Sequence, residues 1–184
     1  LLAFAVNPVT ALLTLAALVS YVFAYTPLKQ VSWLALLVGA VPGALPPLIG
    51  YASVSGTLSR QAWVLFAILF VWQLPHFLAI AIFRREEYAR AGHRVLPVVR
   101  GVAATKRAIV WYSALLVLTT LLPFVHGMAS PLYLLTALAS GGAFFVYAFR
   151  GLSESAGDAW AKRLFRASMP YLVFVFGTLV LTQG

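Results

Sequence analysis

A tyrosine and a lysine four residues apart, Tyr25-Thr-Pro-Leu-Lys29, offer two kinds of phosphate donor, a hydroxyl and an ammonium point charge. Both residue types also serve as membrane-interface anchors, so the pair alone decides nothing. WQLPHF, residues 72–77, sets Gln73 and His76 beside Pro75 within a stretch that otherwise reads as lipid-facing. Polar and ionisable groups at such depth face a cavity or a polar partner. The alternative is interhelical glue, each side chain hydrogen-bonded to a neighbouring span. Arg84, Arg85 and Arg94 could engage an anionic substrate, though topology alone also puts arginines at that level. Glu86 and Glu87 could coordinate Mg²⁺, which takes one or two carboxylates together with phosphate oxygens, or could be solvated partners of Arg84 and Arg85.

The elements that must position these groups are membrane helices. The hydrophobic fraction is 62% and charged residues make up 9%, and runs such as ALLTLAALV lack the alternation of a barrel strand, so the chain reads as an all-α, polytopic transmembrane helical bundle. Spans are expected at roughly 8–25, 33–52, 61–83, 108–126, 131–149 and 165–182, in a single transmembrane domain over 1–184 with no soluble domain. LLAFAV, before the Asn7-Pro8 turn, is too short to cross a bilayer. The start at Leu1 without a charged signal region therefore reads as the tail of a helix whose remainder lies outside this sequence.

Charge placement sets the orientation. Lys29, the group from Arg84 to Arg107, and the group from Arg150 to Arg166 fall in alternate loops, with only Arg60 opposite. Loops 26–32, 84–107 and 150–164 are thus expected in the cytoplasm, as in a bacterial cytoplasmic membrane. The net charge of +9 is spread along these loops without a recognition motif, which argues against nucleic acid and for anionic headgroups or an anionic substrate. The absence of cysteine excludes thiolate metal sites and disulfides.

Two spans look irregular at mid-membrane. GAVPGALPPLIGY, with Pro42, Pro46 and Pro47, predicts a kinked or broken helix, tolerated in lipid only where protein or a cavity satisfies the freed carbonyls. On the third span Gln73, His76, Ile80, Arg84 and Glu87 share one stripe if the helix continues past Phe83. His76 then lies about 12 Å inward from Arg84 at about 1.5 Å per residue, which suggests a pocket wall.

Together YTPLK (25–29), GAVPGALPPLIGYASVSG (39–56), WQLPHFLAIAIFRREEYARAGHRVLPVVRG (72–101) and WAKRLFRAS (160–168) resemble the protohaem IX farnesyltransferases, a branch of the intramembrane aromatic prenyltransferase superfamily. The resemblance runs across essentially the whole chain. It implies nine helices around a cavity, of which these would be the last six, with a cytoplasmic cap where Mg²⁺ holds farnesyl diphosphate. Lys29 and Tyr25 would contact the diphosphate, and Glu87, where the family usually has Asp, would serve the metal with Glu86. Gln73, His76, Arg84, Arg85 and Arg94 would face substrate, His76 on the porphyrin side.

The reaction implied is farnesyl transfer to a vinyl group of haem B, a substrate rather than a bound cofactor, giving haem O for haem-copper oxidase biogenesis. Other haem-biosynthesis or oxidase-assembly membrane proteins would be its neighbours in the bilayer. The family's first Asp-rich motif is absent, the only aspartate being Asp158, so this chain alone is expected to be inactive. Two other classes compete. Kinked helices beside an intramembrane histidine also suit a transporter or channel, although no second Pro/Gly-interrupted span marks an inverted repeat. A non-catalytic haem-handling assembly subunit would bind the macrocycle without making a bond.

Overall fold

The computed structural model describes residues 2–182. Six helices are long and apolar enough to cross a membrane: α1 (Pro8–Val31), α2 (Ala35–Ser55), α3 (Arg60–Phe83), α4 (Gly101–Val125), α5 (Pro131–Leu152) and α6 (Asp158–Leu181). Short helices Arg85–Arg90 and Leu96–Val99 lie between α3 and α4, and no strand occurs among the described residues. The α3 helix is the centre of the bundle and packs against α2, α4 and α6.

Each long helix has an identifiable start or stop. Asn7 caps α1, its side chain accepting from Thr10 N–H at 2.8 Å, while its amide donates to the Ala52 carbonyl at 2.8 Å and ties this end of α1 to α2. Ser59 and Ser130 cap α3 and α5 in the same way. Gly56, at φ 70°, ends α2 in the left-handed conformation.

The α1 helix does not stop at residue 25. Pro27 has no N–H to give, and the helix meets it through a widened π-helical turn over Ser20–Tyr25, with Thr26 N–H donating to the Tyr21 carbonyl. Residues 26–31, expected as loop, are therefore helical, and Tyr25 and Lys29 stand one turn apart. The α2 helix is not broken at its prolines, running as one helix through Pro42, Pro46 and Pro47. Pro46 and Pro47 deprive the Pro42 and Gly43 carbonyls of their usual donors, and both residues line the cavity described below.

The basic ends of α4 and α6 begin earlier than hydropathy indicates, at Gly101 and Asp158 instead of 108 and 165, because their opening two turns carry charges. Lys106 belongs to such a turn and is buried, donating to the Ser153 carbonyl at 3.1 Å with its ammonium 5.9 Å from the Trp160 ring centroid. Gly151 makes room for that ring, since a Cβ there would run into Trp160. At the opposite end a fully buried knot joins α4, α5 and α6: Tyr133 Oη donates to the Thr120 carbonyl at 2.8 Å, and Tyr171 Oη to Thr120 Oγ1 at 3.2 Å. Buried polar groups in a bilayer need such partners, and Thr120 supplies both, through its carbonyl and its hydroxyl.

Candidate functional site

A cavity of about 760 Å³ opens between α1, α2, α3 and the segment that follows the short helix Arg85–Arg90. Its body is apolar, lined by Leu18, Leu36, Phe77, Leu78 and Ala81, and its basic end is polar, lined by Tyr25, Lys29, Ser32, Tyr88, His93 and Arg94. Lys29 and Arg94 bring two positive charges, and among the described residues no carboxylate lines the cavity. An anionic head at that end and a hydrocarbon body below it are what such a lining accommodates.

Local sequence explains the placement. The continuous α1 helix carries Tyr25 and Lys29 on adjacent turns, with the ammonium 6.0 Å from the Tyr25 ring centroid. Gly39 on α2 lets that ring lie close, because a Cβ would come within 2.5 Å of Tyr25 Cδ2. Gly43 does the same for Gln73, whose Oε1 occupies the space a Cβ would need. The Gln73 amide donates to the Ala40 carbonyl at 3.3 Å and the Leu69 carbonyl at 3.1 Å, so this cavity-lining side chain is held from both helices. Tyr88, His93 and Arg94 arrive by a tight reversal: Gly92 sits at φ 71°, and His93 N–H closes the turn onto the Tyr88 carbonyl at 2.9 Å.

Of the candidates read from the sequence, Tyr25, Lys29, Gln73 and Arg94 line this one cavity. The other candidates do not. His76 is buried on the face of α3 turned to α6, with Nδ1 2.6 Å from Ser168 Oγ. Its ring stacks on Trp72 at 4.6 Å between centroids and meets Phe165 at 4.8 Å. Trp72 Nε1 donates to the Ser168 carbonyl at 2.7 Å, so two side chains of α3 converge on one residue of α6. The pocket-wall expectation for His76 gives way to the interhelical contact, because Ser168 satisfies the imidazole directly.

The expected polar stripe also ends early. Arg84, at φ −110° and ψ 14°, terminates α3, and a separate helix starts at Arg85. Arg84 pairs with Glu87 at 3.1 Å on the exposed surface, and Glu86 lies 4.0 Å from Arg85. Arg85 donates to Asp158 at 2.5 Å and to the Ile82 carbonyl at 2.8 Å, which fastens the end of α3 to the start of α6. None of these four lines the cavity. Tyr88, His93 and Ser32 do, and only the left-handed glycine before His93 could have signalled the reversal that places two of them.

These residues do not fit a resident Mg²⁺. Glu86 and Glu87 are exposed and committed to arginines, and no group of three or more His, Asp or Glu side chains suited to a metal occurs among the described residues.

Comparison with known proteins agrees with this architecture. The chain is 50% identical over 176 residues to protoheme IX farnesyltransferase of Sorangium cellulosum (strain So ce56), a match covering 96% of this chain and 63% of that one. It is 45% identical over 177 residues to protoheme IX farnesyltransferase of Bordetella pertussis (strain Tohama I), covering 96% and 59%. The chain therefore spans about three fifths of the length of these curated relatives. A solved structure described as "Structural and mechanistic insights into the biosynthesis of Digeranylgeranylglyceryl phosphate synthase in membranes" superposes with a TM-score of 0.79 at 14% identity, over 95% of this chain and 60% of that one. That likeness shows a shared fold. The UbiA prenyltransferase family model matches residues 1–169, and with six long apolar helices among the described residues and a cavity between the first three that is cationic at one end, the chain belongs to the UbiA prenyltransferase family.

Proposed function

We propose that this chain carries the substrate cavity of a membrane enzyme that transfers the farnesyl group of farnesyl diphosphate to a vinyl group of haem B, giving haem O. The observation that carries the reading is one cavity with Lys29 and Arg94 at its basic end and an apolar body below. Relatives named protoheme IX farnesyltransferase supply the acceptor.

In this reading Lys29 and Arg94 attract the diphosphate, and the Tyr25 and Tyr88 hydroxyls donate to its oxygens. As the C1–O bond ionises, negative charge builds on the departing diphosphate, and the two cations stabilise that charge more than the ground state. The vinyl π electrons then form the new bond to C1. Water adds to the resulting cation and loses a proton, leaving a hydroxyethylfarnesyl substituent. Leu18, Leu36, Phe77 and Leu78 keep water from C1 until the vinyl group has attacked. Mg²⁺, if bound in the intact enzyme, would add charge neutralisation at the diphosphate. The described residues do not form its site, and these 184 residues alone are therefore expected not to turn over. The basic helix ends would face the cytoplasm of a bacterial inner membrane.

The test is conversion of haem B to a farnesylated haem by the intact polypeptide in membranes with farnesyl diphosphate and Mg²⁺. Turnover that falls at least tenfold in Lys29→Ala supports the reading. Unchanged turnover in both Lys29→Ala and Arg94→Ala refutes the assignment of the cavity's basic end.

A further inference from the structure

A second groove, about 310 Å³, lies on the outside of the bundle where α2, the short helix Leu96–Val99 and α4 meet. It shares Trp33, Leu36, Leu78 and Leu96 with the central cavity, so one layer of side chains separates the two. Arg100 stands at its basic end, exposed, with its guanidinium 4.7 Å from the Trp33 ring centroid and no carboxylate partner among the described residues. Ala104 and Ala108, one turn apart on α4, line the groove, and Trp111, 76% exposed, and Tyr112 line its inner end. From Arg100 to Trp111 the helix rises about 16 Å at about 1.5 Å per residue.

We propose that this groove is the docking site of the acceptor, a planar apolar macrocycle with carboxylates along one edge. This inference rests on the farnesyl-transfer reading above. The features are complementary: a cation at the water-facing end for the carboxylates, a strip of small side chains where a flat ring can lie, and aromatic faces to stack on it. In haem B the vinyl groups lie on the side of the ring away from the propionates. A ring seated with its propionates at Arg100 therefore points its vinyl edge into the membrane, along the wall shared with the cavity. Trp33 in the turn before α2, Leu36 of α2 and Leu78 of α3 form that wall, and their displacement would join the two spaces. The separation also accounts for the cavity's lining, whose cations serve one anionic head and leave the second substrate's carboxylates to a different arginine.

Ferric protohaem titrated into the full-length protein in phosphatidylcholine nanodiscs, followed by its Soret band, measures this site without turnover. Arg100→Gln and Ala108→Leu should each raise the Kd for protohaem about tenfold, as expected for loss of a charge-assisted contact or filling of the groove. Pyrophosphate affinity, measured in parallel, should stay at the unsubstituted value in both and fall in Lys29→Ala. Arg100 is exposed, so its variant tests the site even where Ala108→Leu does not fold. Unchanged protohaem affinity in Arg100→Gln and in folded Ala108→Leu overturns the groove. So does a variant effect confined to retention of an anionic phospholipid. Failure of the unsubstituted protein to bind protohaem at all, while it still binds pyrophosphate, refutes the haem-acceptor reading itself.

Discussion

Replacing Ser168 by alanine tests whether His76 belongs to the bundle or to the substrate. Ser168 is fully buried and its hydroxyl lies 2.6 Å from both His76 Nδ1 and the Phe165 carbonyl. A hydroxyl has one proton; placed on the Phe165 carbonyl, it makes Nδ1–H the donor to Oγ. Ser168→Ala removes that acceptor and strands a buried N–H, a loss of about 1–3 kcal/mol by the usual cost of an unsatisfied group. Interhelical hydrogen bonds in membranes average about 0.6 kcal/mol in double-mutant cycles and reach about 1.7. The cycle between Ser168→Ala and His76→Phe should therefore give a coupling of about 0.6–1.7 kcal/mol. His76→Phe by itself should be the milder change, because the ring contacts with Trp72 and Phe165 can persist. Unfolding of the micelle-solubilised protein in increasing SDS, read by tryptophan fluorescence, supplies the four free energies. A neutral Ser168→Ala together with zero coupling would show that the imidazole is not anchored to α6, and the argument that removed it from the cavity would fail.

Other consequences are tested more briefly. Gly43→Ala should displace the Gln73 amide from the Ala40 carbonyl and lower stability by about 1–3 kcal/mol, in the range of overpacked cores, and the Gly43→Ala/Gln73→Ala double variant should recover part of the loss. Gly151→Ala drives a Cβ into the Trp160 ring and should destabilise by a similar amount, about 1–3 kcal/mol, visible as a lower unfolding midpoint and altered tryptophan emission. Asp158→Asn breaks an ion pair whose partners are 34% and 45% exposed; it should cost no more than about 1 kcal/mol, and the difference should shrink in 0.5 M salt, where the Debye length falls to about 4 Å. Lys29→Ala and Arg94→Ala should each weaken pyrophosphate binding at least several-fold by calorimetry, with an additive or larger loss in the pair.

Much of the bundle was legible because lipid imposes a simple demand: long apolar runs had to be helices, and six helices long and apolar enough to span occur among the described residues. The basic ends were harder to read. Lys106, Lys162 and Arg163 depress hydropathy yet lie in helical turns of α4 and α6, so those helices seemed to begin late. The first span was expected to end near residue 25, and nothing in the sequence around Pro27 indicated that a π turn would carry α1 past it. At the site, Tyr25 and Lys29 could be paired by local spacing alone. His76 could not be assigned from its own helix: the glue and pocket readings differ only in what lies opposite, and Ser168 is 92 residues away in sequence. His93 and Tyr88 depend on the reversal at Gly92, a loop geometry with no periodic signature.

The attachment of α3 to α6 also has a time scale. Trp72 donates across 96 residues to the Ser168 carbonyl, and the intervening chain includes all of α4 and α5. At about 5–20 residues per second of synthesis, that acceptor follows Trp72 out of the ribosome by about 5–20 s. Throughout that interval the indole N–H and the imidazole of the bundle's central helix have no native partner. An insertion factor that shelters polar groups within the bilayer would therefore be needed during the production of this protein more than in its finished state, and slowing synthesis between α5 and α6 should increase degradation of the nascent bundle.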